Sequence, residues 1–172
     1  MASAFLHCPR CTQALETRTV DDAGRPRERL VCPREGCGFV HYDNPLPVVA
    51  AIVERPETSS VVLVRSRGWP EGMFGLVTGF LERGETPEAG VLREVQEELG
   101  LEATLEGLVG AYAFEMRNEL IVAYHVRAAG EIRLGEELEA YKEVPTVKLR
   151  PWPFGTGLAV RDWLARRAPA RA

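Results

Sequence analysis

The chain has 172 residues, 45% hydrophobic and 27% charged, enough to bury one ordinary core beside a small module. Its net charge of -4 argues against nonspecific nucleic-acid affinity as the main activity, because phosphate-backbone binding needs a basic surface. No apolar run approaches the length of a membrane span, and residues 1–7 lack a basic segment followed by an apolar one; neither membrane association nor an export signal is read, and the cytoplasm is the expected location.

All four cysteines fall in the first 37 residues, as Cys8-Pro-Arg-Cys11 and the wider Cys32-Pro-Arg-Glu-Gly-Cys37. In a cytosolic chain two such turns point to Zn2+ held by four thiolates in a closed structural site, with disulfides or a ribbon that has lost its metal as the alternatives. His7 and His41 flank the cysteines as bystanders. The stretch between the knuckles mixes Arg18, Arg25, Arg27 and Arg29 with Glu16, Asp21, Asp22 and Glu28, and reads as a solvated β-hairpin around Asp22-Ala23-Gly24 without a basic stripe. The proline-punctuated run Tyr42-Asp43-Asn44-Pro45-Leu46-Pro47 is a linker, which divides the chain into a module over residues 1–44 and a domain over 45–172.

Residues 48–53 and 61–64 are β-branched runs that read as adjacent strands of a mixed sheet, joined by a polar turn over residues 54–60. Thr86-Pro87-Glu88 starts a helix with a hydroxyl cap, proline at the first position and an acid at the positive end of the dipole. Val91, Leu92, Val95 and Leu99 recur at helical spacing and Gly100 supplies the stop, so the helix spans roughly residues 87–99. Glu94, Glu97 and Glu98 then share one face at i, i+3 and i+4, within a few ångströms of each other. Such a cluster suits Mg2+ or Mn2+. On charge pattern alone a solvated acidic face, with an ordinary Arg93–Glu97 pair, is the alternative.

Residues 105–113 and 120–127 continue the strand series, with His125 packed within it. The segment Gly135-Glu-Glu-Leu-Glu-Ala140 reads as a later loop that brings Glu136, Glu137 or Glu139 to the site. Pro151-Trp152-Pro153-Phe154 reads as the loop before a closing amphipathic helix over residues 157–167. Its two aromatic residues serve as core or lid, with stacking on a substrate ring as the alternative.

Residues 79–101 fill every fixed position of the string G-x5-E-x7-R-E-U-x-E-E-x-G-U, where U is bulky and aliphatic, here Val95 and Leu101. In this the chain resembles the Nudix hydrolases. The resemblance implies an α/β fold, the Nudix α/β/α sandwich with a mixed sheet, preceded here by the small zinc-ribbon β module. It implies that Glu94, Glu97 and Glu98 bind Mg2+ or Mn2+, that Gly79 adds a backbone carbonyl, that Glu82 also reaches a metal, and that Arg93 and Glu85 pair to orient the helix. The general base would be Glu97, Glu98 or Glu139.

Ahead of the box, Phe74-Gly75-Leu76-Val77-Thr78-Gly79 stands where many members have tryptophan and Pro-Gly-Gly, which leaves the substrate-side contacts open. Phe74, Tyr112 and Phe114 are candidates to stack on a base or flavin, and Arg65 and Arg67 to hold phosphate.

The ribbon and the link His41-Tyr42-Asp43-Asn44-Pro45 narrow the resemblance to the branch of NADH, FAD and ADP-ribose pyrophosphatases. The expected activity is hydrolysis of a nucleoside diphosphate linked to another moiety, giving a nucleoside monophosphate. The substrate is then a small nucleotide, nucleic acid is an unexpected partner, and a homodimer is expected from the family alone. The NADH-type motif S-Q-P-W-P-F-P-x-S is missing where residues 111–120 lie. Other readings are an RNA-cap hydrolase, or a zinc-ribbon binding module for nucleic acid or protein with a non-catalytic Nudix domain.

Overall fold

The computed structural model describes residues 5–167, so the first four residues of the leader reading lie outside the described residues. The chain divides into two compact units, Met1–Asn44 and Pro45–Ala172.

In the first unit, β1 (Glu16–Asp22), β2 (Arg25–Val31) and β3 (Val40–His41) form an antiparallel sheet in that order. Ala23 and Gly24 turn the hairpin with φ of 52° and 80°, the two successive left-handed residues a tight two-residue turn requires. Sequence reading found no basic stripe here, and the register corrects it. Arg18 lies opposite Arg29, Val20 opposite Arg27 and Asp22 opposite Arg25, so strand alternation sends all four arginines to one face and Asp21 and Glu28 to the other.

The second unit is built on β4 (Leu46–Arg55), the central strand of a six-stranded sheet. Around it stand β5 (Ser60–Ser66), β6 (Val77–Phe80), β7 (Ala103–Phe114), β8 (Glu119–Ala128) and β9 (Leu138–Pro145). The order is β7-β8-β4-β5-β9, with β6 also paired to β4. Only β4–β8 is parallel. Because β4 is covered on both faces it is apolar from Val48 to Val53: Val49, Ala51 and Val53 pack toward one layer and Val48, Ala50 and Ile52 toward the other. Helix α1 (Pro87–Leu99) brings Val91, Val95 and Leu99 to the first layer, and α2 (Gly157–Arg167) brings Ala159, Val160 and Trp163 to the second. The result is an α/β/α sandwich with a mixed sheet.

Several expectations change. The polar turn over residues 54–60 shrinks to residues 56–59, because Glu54, Arg55 and Ser60 belong to strands and are buried. Each has internal partners: Glu54 binds His125 and Arg167, both at 2.8 Å, Arg55 donates to the Gly130 carbonyl at 2.6 Å, and Ser60 donates to Glu143 at 2.7 Å. Strands β4 and β5 share only the pairs Glu54–Val61 and Arg55–Ser60 before they diverge, and β6 occupies the vacated edge of β4. The later loop of sequence reading becomes β9 from Leu138 onward, an edge strand whose Glu139, Lys142 and Glu143 suit an exposed position. Among the described residues no helix is long and apolar enough to cross a membrane.

Helix α1 begins as its sequence requires, with the Thr86 hydroxyl accepting from the Ala89 N–H at 3.2 Å and Gly100 closing it at φ 67°. Replacing Thr86 with Ala orphans that donor, which costs about 1 kcal/mol. Thermal unfolding of Thr86→Ala is therefore expected roughly 2–4 °C below the parent.

Candidate functional site

The acidic face of α1 is organised by Arg93. Its Nε and Nη2 bind the two oxygens of Glu85 at 2.9 and 3.1 Å, Nη2 also donates to the Phe80 carbonyl at 3.2 Å, and Nη1 reaches Glu94 at 2.7 Å and Glu97 at 2.9 Å. One guanidinium thus ties the loop, the end of β6 and the helix together, and the Arg93–Glu97 pair of the plainer reading is part of the same arrangement. These bonds hold Glu85 below the usual carboxylate range.

Gly79 lies opposite Val49 on β6, and a Cβ there would collide with the Glu94 carboxylate. Glycine is needed so that this carboxylate can lie against the strand. Glu98 turns inward: it is 8% exposed and its Oε2 is buried without a partner. Burial first, then the charges of Glu94, Glu137 and Glu97, push it up to about 8. The three carboxylates do not converge as closely as helix spacing suggested. Among the described residues only the cysteines form a group of donors all within 4.8 Å, while Glu94 and Glu97 are each bound to Arg93. A buried unpartnered carboxylate oxygen beside a carboxylate cradled on a glycine is nonetheless a donor set that fits a hard divalent cation.

Two expected site residues pair with each other. Glu139 sits on β9 and pairs with Arg65 at 3.3 Å, so the candidate base and the candidate phosphate ligand neutralise each other. Glu137 is the acid of that segment whose charge reaches Glu94 and Glu98. It is placed by backbone bonds, from Gly135 N–H to the Glu98 carbonyl at 2.9 Å and from Arg67 N–H to the Glu137 carbonyl at 2.8 Å. Arg67 also donates from its side chain to the Glu136 carbonyl, so it too serves this segment. Glu82 contributes a backbone N–H to Glu85 at 3.2 Å while the residue itself is exposed on the loop.

A cavity of about 600 Å3 opens on the α2 side of the sheet. Its walls include Trp69, Phe74, Phe114, Trp152 and Phe154, with Thr78 of β6 beside them. Adjacent residues of one strand therefore serve two places, Thr78 the cavity and Gly79 the acidic cluster. Tyr112 leaves the substrate set: its hydroxyl donates to Asp162 of α2 at 3.0 Å and it packs in the layer beneath that helix. Sequence reading missed Trp69, and Glu119 of β8, which lines the cavity 8% exposed and pairs with Arg117 at 3.2 Å. The only available signal for Trp69 was an aromatic residue in the Gly-Trp-Pro turn after β5.

In the first unit Cys8, Cys11, Cys32 and Cys37 are all free. Sulfur separations are 3.6 Å for Cys8–Cys37 and 3.4 Å for Cys11–Cys32. Thiolates arranged tetrahedrally at about 2.3 Å from zinc stand about 3.8 Å apart, whereas a disulfide needs about 2.05 Å, so the cluster fits zinc. A backbone N–H from Gln13 pulls Cys11 down to about 6, while desolvation pushes Cys32 up to about 12; four thiolates together call for a cation. Neither His7 nor His41 joins the cluster, and the His41 ring packs 4.6 Å from Phe5.

The NUDIX domain family matches residues 44–161. The chain is 32% identical over 149 residues to the NAD-capped RNA hydrolase NudC of Pseudomonas aeruginosa, covering 83% of this chain and 52% of that protein. It is 33% identical over 126 residues to the NAD-capped RNA hydrolase NUDT12 of Pongo abelii, covering 70% and 26%. The chain thus spans between a quarter and about half of these relatives. Among solved structures, a NUDIX hydrolase from Nitrosomonas europaea superimposes with a TM-score of 0.75 at 21% identity, covering 95% of this chain and 93% of that one, which shows a shared fold.

Two expectations follow from the charges. Glu98 titrates near 4.5 when unfolded and near 8 when folded, so its contribution to stability is full below about pH 4.5 and is lost as pH rises through about 8. Melting temperatures at pH 8 should therefore be higher for Glu98→Gln than for the parent, and Mg2+ should raise the parent far more than the variant. For the ribbon, about one zinc per chain should be measured under reducing conditions, and Cys11→Ser should lose it.

Proposed function

Because this chain belongs to the NUDIX domain family, we propose that it is a metal-dependent hydrolase that cuts the pyrophosphate linkage of an NAD-type dinucleotide, free or at the 5′ end of an RNA. The products are a nucleoside monophosphate and the phosphorylated remainder. The observation that carries the reading is the buried Glu98 carboxylate, orphaned beside a Glu94 seated on Gly79 and tied by Arg93 to Glu85 and Glu97. The 32–33% identity to two NAD-capped RNA hydrolases supports the substrate class.

Glu94, Glu97, Glu98 and the Gly79 carbonyl would hold Mg2+ or Mn2+. Such a cation neutralises the pyrophosphate and acidifies the attacking water. Water oxygen attacks one phosphorus, the bridging P–O bond breaks, and the water proton passes to a carboxylate of the site. Glu137 is our choice for that base, since its charge is already felt at Glu94 and Glu98 whereas Glu139 is bound to Arg65. Arg93 fixes the loop and helix so that the carboxylates keep their places. The aromatic cavity receives one ring of the dinucleotide, excluding water from its faces. Zinc at the four cysteines would be structural, because a shell of four thiolates leaves no open position.

Incubation with Mg2+ and NAD or NADH, with chromatographic detection of the monophosphate, tests the reading. Glu97→Gln is expected to lower kcat by at least about 100-fold with the fold intact. Glu137→Gln is expected to lower it by about 100-fold with KM little changed, while Glu139→Gln stays within about twofold of the parent. Failure to release a monophosphate from NAD, NADH, FAD, ADP-ribose or coenzyme A would refute the assignment.

A further inference from the structure

The arginine-bearing face of the β1–β2 hairpin is left over by everything described above. Four guanidinium groups, of Arg18, Arg25, Arg27 and Arg29, share it with two carboxylates, those of Glu16 and Asp22. Arg18 and Arg29 stand directly opposite one another, an arrangement of like charges that weakens a two-stranded ribbon. Internal partners compensate only in part. Arg18 meets Glu16 at 2.9 Å with both side chains more than half exposed, and such a pair contributes little. Arg29 reaches Asp22 at 3.5 Å, and its buried Nε has no partner. Among the described residues the side chains of Arg25 and Arg27 make no hydrogen bond or ion pair, and both residues are exposed near the hairpin tip.

Beside the arginines stands an aromatic platform. Tyr42 is 48% exposed, its carbonyl accepts from Arg29 Nη1 at 2.7 Å, and the Arg29 guanidinium lies 5.5 Å from its ring centroid. A row of cations next to an exposed aromatic ring is the combination that holds a flexible nucleic-acid strand: phosphates meet the guanidinium groups and an unpaired base stacks on the ring. The opposite face, with Thr17, Thr19, Asp21, Glu28 and Leu30, carries none of the four arginines.

We propose that the Arg18, Arg25, Arg27, Arg29 and Tyr42 face of the ribbon binds single-stranded RNA through its phosphates and one stacked base. The proposal goes beyond the hydrolytic reading and does not need it, since it concerns polynucleotide affinity and not turnover. It also reconciles binding with a net charge of -4: the basic groups are gathered on one small face by strand register, not spread over the molecule.

The test is fluorescence anisotropy of the full zinc-loaded chain with a labelled single-stranded RNA of roughly 20 nucleotides carrying a 5′ monophosphate. Two to four phosphate contacts give a slope of log K against log salt between about -1.4 and -2.8. Arg25→Gln combined with Arg27→Gln should flatten that slope by about 1.4 and weaken binding at least about tenfold at low salt. Tyr42→Ala should weaken it at least about fivefold.

Asp21→Asn combined with Glu28→Gln, on the other face, should leave affinity within about twofold. A parallel rise in affinity in that variant would show that total charge, not this face, decides binding, and would overturn the proposal. So would unchanged binding by the arginine variant, or binding to anionic phospholipid vesicles without saturable RNA binding. Bound zinc and turnover of free NAD should match the parent in the arginine variant. If free NAD is not hydrolysed at all, the hydrolytic reading fails while the anisotropy result still decides this one.

Discussion

Arg93 is the constraint on which the acidic site depends. It gathers Glu85 from the loop, the Phe80 carbonyl from β6 and two carboxylates from its own helix. Without it, Glu94, Glu97 and Glu98 would repel one another with nothing to fix their directions. Its five donors in a planar fork are what make this possible, and a lysine, a point charge on a flexible stem, could not grip Glu85 at two oxygens. The helix is thereby locked against the strand that carries Gly79, where the absence of a side chain leaves room for Glu94. Geometry of loop, strand and helix is set by a single side chain.

Both candidate metal sites are places where the fold holds charge it does not neutralise internally. Glu98 is buried among like charges, and four sulfur atoms crowd together in the ribbon. The consequences differ with size. The larger unit has two apolar layers around β4 and tolerates an unsatisfied carboxylate. The ribbon has little core beyond Cys8, Val31 and Cys32, so ligation at the cysteines would be a principal source of its folding free energy.

Much of this was legible in sequence where local chemistry decides. Helix α1 ends where Thr86 and Gly100 say it should, α2 spans the residues its apolar spacing marks, and the hairpin turns at Ala23-Gly24. Where partners lie far apart in sequence, reading failed. Glu54, Arg55 and Ser60 looked like a polar turn because their partners, at residues 125, 167, 130 and 143, are distant. Strand β9 hid behind the charges that suit an edge. Spacing alone did not reveal the pair of Glu139 with Arg65, nor the irregularity at Arg65 and Ser66, whose partners Ala140 and Leu138 flank Glu139. The basic face escaped notice because charges that alternate along a hairpin cancel in a composition count and separate only when the register is known.

The division of labour on β6 has a consequence for how such a protein can change. Thr78 and Gly79 are neighbours, yet one borders the aromatic cavity and the other the acidic cluster. Trp69, Phe74, Trp152 and Phe154 reach the cavity from connecting segments that carry none of the Arg93 bonds. Substitutions in those segments can therefore drift toward a new ring system while the bond-breaking apparatus stays under separate selection. Novelty in preference need not pass through a loss of chemistry, which is how one scaffold can radiate into many specificities.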